Sequence, residues 1–64
     1  MGNLWYAVQM NSADPWDNGS FDLEEAKDIA HDLGATIIAV IDTDTDSCIS
    51  EYHKVDGYWQ EWDA

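Results

Sequence analysis

One segment of this chain has helical spacing, and it decides what the rest can be. Asp22 stands where an N-cap belongs, and Glu25 three residues on would complete a capping box. Phe21, just before the cap, is placed to staple against Ala26. Leu23, Ala26, Ile29, Ala30 and Leu33 recur as one apolar stripe, and Gly34 supplies the left-handed residue that ends the run. Elsewhere the apolar residues follow strand spacing. Leu4–Met10 alternates, with Leu4, Tyr6, Val8 and Met10 on one face. Residues 11–20 are polar, carry Asp14-Pro15 and Asn18-Gly19, and are expected to form a loop. Thr36–Ile41 is an unbroken run rich in β-branched residues, the pattern of a central strand covered on both faces. A polar turn over 42–47 leads to a strand near 48–55. Asp56-Gly57 then folds 58–62 back, pairing Val55 with Tyr58 and His53 with Gln60.

The predicted class is therefore α+β: a single small domain spanning 1–64, in β-α-β-β-β order, with one helix packed on a three- to four-stranded sheet. A strand–helix–strand unit favours a right-handed crossover, which would set the first two strands parallel. One helix covers one sheet face, so the other is left to solvent, to a partner, or to a second copy in a homodimer. A core of this size seldom supplies more than roughly 3–5 kcal/mol.

Charge narrows the function. Fourteen Asp and Glu face two Lys and no Arg, for a net charge of −12. Each contact to a nucleic-acid phosphate needs a cation on the protein, so direct nucleic-acid binding is excluded as the main task, and an anionic membrane is disfavoured. Disorder is disfavoured too, because 45% of the residues are apolar, among them four Trp, three Tyr and one Phe. No apolar run is long enough to span a membrane, no signal peptide is evident, and Cys48 is the sole cysteine, so a cytoplasmic protein is expected.

Three constellations invite a chemical reading. Ile37–Ile41 followed by Asp42-Thr43-Asp44-Thr45 resembles the first motif of haloacid-dehalogenase-type phosphotransferases, which implies Asp42 as nucleophile and Asp44 as acid/base beside Mg²⁺. The chain is too short for the parallel sheet and downstream residues that chemistry needs. Asp42, Asp44 and Asp46 also match positions 1, 3 and 5 of an EF-hand, but position 6 is Ser47 rather than Gly and position 12 is His53 rather than Glu. That leaves a weak calcium-binding module as an alternative. His31, His53 and Cys48 lack the close ligand pairs of a zinc site, and surrounding carboxylates would raise the Cys48 thiol pKa rather than activate it. No enzyme, metal or cofactor is expected.

The acidic surface is more informative. Glu24, Asp28 and Asp32 stand at i, i+4 and i+8 with Glu25 alongside, and like charges so placed cost a helix about 0.2–0.5 kcal/mol per pair. Asp42, Asp44 and Asp46 extend the field. Trp5, Trp16, Tyr52, Tyr58, Trp59 and Trp62 exceed what one helix can cover, and exposed Trp and Tyr are common interface anchors. Solubility explains part of the acidity, and a second small core or a dimer explains part of the aromatic surplus.

With its shortness, the Glu24/Glu25/Asp28/Asp32 row, the Asp42–Asp46 turn and the lack of Arg, the chain resembles the small acidic inhibitors that phages and mobile elements direct against host defences, anti-CRISPR proteins and DNA mimics included. The resemblance is one of character and implies a non-enzymatic inhibitor that occupies the basic groove of a nucleic-acid-binding protein such as a Cas nuclease, in the bacterial cytoplasm. Phe21–Ala26 is also similar to the helix start of HicB-type antitoxins. An antitoxin or regulatory subunit acting on a basic protein is thus the alternative. The expected binding residues are Glu24, Glu25, Asp28, Asp32, Asp42, Asp44 and Asp46, with Tyr58, Trp59 and Trp62 as anchors.

Overall fold

A computed structural model describes residues 3–11 and 13–63. The elements are β1 (Leu4–Gln9), β2 (Gly19–Ser20), α1 (Leu23–Leu33), β3 (Ile37–Asp42), β4 (Ser47–Val55) and β5 (Tyr58–Asp63). One sheet holds all five strands in the order β2-β1-β3-β4-β5, every neighbouring pair antiparallel. The α+β class stands, with five strands rather than three or four.

The added strand, β2, lies inside the segment expected to be loop, and it changes the topology. Tyr6 pairs with Ser20 and Ala7 with Gly19, so the chain has already reversed before the helix begins. β1 and β3 are consequently antiparallel, not parallel as the crossover expectation required. The parallel pair joined through α1 is β2 and β3, with β1 inserted between them. Gly19 permits this close approach: a Cβ there would lie 2.1 Å from the Tyr6 carbonyl oxygen. The Val8 amide also donates to the Asn18 carbonyl at 2.7 Å, which extends the junction by one bond.

The helix ends are built from local chemistry. Asp22 has extended backbone, and its Oδ1 accepts from the Glu24 amide at 3.0 Å. The reciprocal half of the expected capping box is replaced, because the Asp22 amide donates to the Ser20 hydroxyl at 3.1 Å. Gly34 closes the helix in the left-handed region at φ 72°. Phe21 remains largely exposed, with its ring edge-on to Trp5 at a centroid distance of 4.9 Å.

Two small cores lie on opposite sides of the sheet. On the helix side, Val8, Ala26, Ala30, Ala35 and Ile38 are buried, with Tyr6, Leu23, Ile29, Tyr52 and Trp59 packed around them. Leu33, expected in this stripe, is half exposed at the helix end. On the other side Ala7, Ala39 and Ile41 are buried beneath Trp5 and Cys48. The loop after β1 helps close that second core. Trp5 Nε1 donates to the Trp16 carbonyl at 3.0 Å, and Gln9 Nε2 donates to the Asp14 carbonyl at 2.7 Å. β3 is thus covered on both faces, as its continuous apolar run required.

Both hairpin turns use left-handed residues. Asp56 and Gly57 have φ of 53° and 84°, the pattern of a type I′ turn, and the expected Val55–Tyr58 and His53–Gln60 pairs form. Between β3 and β4 the chain turns through Thr43–Asp46, with Asp46 left-handed at φ 53°. The register shifts between Val40 and Ile41, opposite Ser50 and Cys48, so Ile49 is bulged and half exposed.

Candidate protein-binding surface

The topology sorts the charged residues into two ends. β1 starts opposite Asp42, and β2 runs back toward that end before the helix begins. Glu24 and Glu25 therefore share one end of the molecule with the Asp42–Asp46 turn. The helix then returns toward the Gln9–Ile37 end, where Asp32 and the Asp56 turn lie. From Glu24 to Asp32 the row climbs about 12 Å along the helix axis. Glu24, Glu25, Asp28, Asp32, Asp44 and Asp46 are exposed, and Asp42 is half-buried.

Almost none of this charge is neutralised within the chain. Among the described residues, Lys27 Nζ meets Glu24 Oε2 at 3.2 Å, and His53 Nε2 meets Glu51 Oε1 at 2.8 Å. The other lysine, Lys54, lies over the Trp59 ring, 5.9 Å from its centroid. A net charge of −12 along a longest dimension of 32 Å is about one charge per 2.7 Å. Duplex DNA carries one per about 1.7 Å.

The three anchor aromatics do not form one patch. Strand alternation sends Tyr58 and Trp62 to the face away from the helix, with Gln60, and sends Trp59 to the helix side. Trp59 packs partly buried against the main core. Tyr58 is 76% exposed and Trp62 50% exposed. A single flat partner surface cannot touch both the helix row and the Tyr58/Trp62 face, since the sheet lies between them.

Glu51 and His53 were not among the expected binding residues, yet they set the geometry of Trp62. The Trp62 indole stacks on the His53 ring at 4.2 Å with an 18° interplanar angle, while Glu51 holds the imidazole from the other neighbouring position on β4. The expected His53–Gln60 pair already implied this contact, because it makes Trp62 the diagonal neighbour of His53.

The metal and nucleophile readings have little geometry behind them. Among the described residues, no three His, Cys, Asp or Glu side chains are gathered so as to hold a metal ion. Asp42 Oδ1 accepts from the Asp44 amide at 3.0 Å and so serves the turn. Burial, and then the charge of Glu51, push the Cys48 thiol pKa upward, away from the thiolate. Tyr52 is raised in the same way, by burial first and then by Glu61. A cavity of about 130 Å³ lies between Val8, Met10, Pro15 and Leu33. Ligand pockets usually hold about 300–1,000 Å³, so this one has room for a single side chain. The chain matches no protein family, no curated protein and no solved structure in comparisons with known proteins.

Proposed function

We propose that this protein is a non-enzymatic acidic inhibitor that occupies the basic groove of a nucleic-acid-binding protein, of which a Cas nuclease is the type. The observation that carries the reading is the density of carboxylates left without a cation: about one net charge per 2.7 Å on a folded scaffold, with one lysine–carboxylate bridge among the described residues. A groove built for phosphates neutralises them with lysines and arginines, the groups that these carboxylates attract. The helix row and the Asp42–Asp46 turn occupy that groove, and association is fast and salt-sensitive because the charges steer it.

The test is displacement. Purified Cas nucleases and other basic nucleic-acid enzymes are loaded with fluorescent DNA, and anisotropy is followed as the protein is added at two salt concentrations. Competitive release of DNA from one enzyme, weakening as salt rises, supports the proposal. Binding without any loss of DNA, or no binding to any basic enzyme, overturns it.

A further inference from the structure

The sheet has one long open edge. β2 ends the sheet on one side with two residues and passes into the helix, whereas β5 ends it on the other with six. Hydrogen-bonded pairs alternate along an antiparallel ladder, and the two-residue turn makes Val55–Tyr58 such a pair. Tyr58, Gln60 and Trp62 therefore bond inward to β4. Trp59, Glu61 and Asp63 turn their N–H and C=O groups to the outer edge. Among the described residues, no loop backbone bonds to β5 from outside.

Natural sheets blunt such edges with charged side chains, lysine above all, or with proline, bulges or a covering segment. β5 has no lysine, no proline and no register shift against β4. Its only charges are Glu61 and Asp63, with Asp56 at the turn. Two copies joined edge to edge would bring −12 against −12 and crowd the acidic residues of both edges together. The same charges attract an extended cationic segment.

We infer that β5 is a strand-addition site for an extended, lysine- or arginine-rich segment of a protein partner. The added strand takes the outward groups of Trp59, Glu61 and Asp63, its cations meet Glu61 and Asp63, and Tyr58 and Trp62 flank it on the opposite face. This rests on the basic-partner reading above and adds where and how such a partner is gripped.

The probe is a capped nine-residue peptide alternating Lys with Val and Thr, titrated into the isotope-labelled protein. Amide exchange at Trp59, Glu61 and Asp63 should slow at least about tenfold at saturation. A peptide of equal charge, N-methylated at alternate residues, should not produce that protection. Glu61→Pro removes one outward N–H while sparing the inward ladder and should abolish the protection. Glu61→Gln makes the same charge change, keeps the N–H and should retain it; thermal melts confirm that both variants fold. Unchanged exchange at the three amides overturns strand addition, as does self-association through β5 without peptide. If both peptides bind equally and perturb only Glu24–Asp32, strand addition fails while the basic-partner reading stands. Failure of DNA displacement removes that reading independently of the edge.

Discussion

Neutralising Glu24 and neutralising Asp32 should change stability in opposite directions, although each removes one negative charge. Glu24 sits in the first turn of α1, where the helix dipole favours a carboxylate by about 0.3–1 kcal/mol, and it pairs with Lys27 at 3.2 Å, worth about 0.2–0.5 kcal/mol. Against this stands repulsion from Asp28 of about 0.2–0.5 kcal/mol. Glu24→Gln should therefore destabilise by about 0.3–1 kcal/mol. Asp32 lies in the last turn, where the dipole opposes a carboxylate and Asp28 repels it from one turn back. Asp32→Asn should stabilise by about 0.5–1.5 kcal/mol, since Asn and Asp have similar helix propensity. Urea titration followed by tryptophan fluorescence measures both midpoints. The gap between the two variants should shrink at 1 M salt, where the screening length is about 3 Å. Equal shifts of the same sign would refute the reasoning and leave net charge as the only quantity that matters. If the helix row meets the partner, both variants should also slow association.

Gly19→Ala forces a methyl to 2.1 Å from the Tyr6 carbonyl oxygen, a backbone atom that cannot swing aside. Overpacking of this kind costs about 1–3 kcal/mol, a large share of what so small a core supplies, and should appear as a lowered urea midpoint with the helix start loosened. Tyr52 should contribute to the loss of stability at alkaline pH. Its folded pKa is raised above the ordinary 10.0, so its contribution is complete below that value and is lost as pH rises through the higher folded value. Tyr52→Phe should flatten the fall in midpoint above pH about 10; an unchanged fall would assign it elsewhere, to Cys48 first.

Local chemistry was legible where one residue type does one job. Asp22, Gly34 and Asp56-Gly57 each answer a single backbone requirement, so their positions announced a helix start, a helix end and a type I′ turn. β2 was hidden because two residues carry no periodicity. Gly19 followed Asn18 in the manner of a turn, while its decisive property is the missing Cβ against Tyr6. Strand direction depended on β2, so the parallel expectation for β1 and β3 failed with it. Ser20 shows the same limit at the helix cap: the capping-box pattern names Glu25, but a hydroxyl two residues before Asp22 is nearer the amide that needs a partner.

The candidate binding surface was legible as composition and not as geometry. Carboxylate spacing on a helix follows from its pitch, so the Glu24–Asp28–Asp32 row could be drawn from sequence. Which aromatics share a face follows from sheet register. Alternation along 58–63 separates Trp59 from Tyr58 and Trp62, and the strand order puts all three on the edge strand farthest from the helix contacts. The helix row and the Tyr58/Trp62 pair therefore belong to different surfaces, and a partner that used both would have to wrap the β5 edge. At that edge Glu61 and Asp63 alternate with Gln60 and Trp62 along one strand. A long charged row can draw a basic protein in from a distance, whereas holding it in one orientation needs desolvated contacts and directional bonds. On this scaffold β5 offers both kinds of group together, the exposed Tyr58 and Trp62 rings and the outward backbone of Trp59, Glu61 and Asp63.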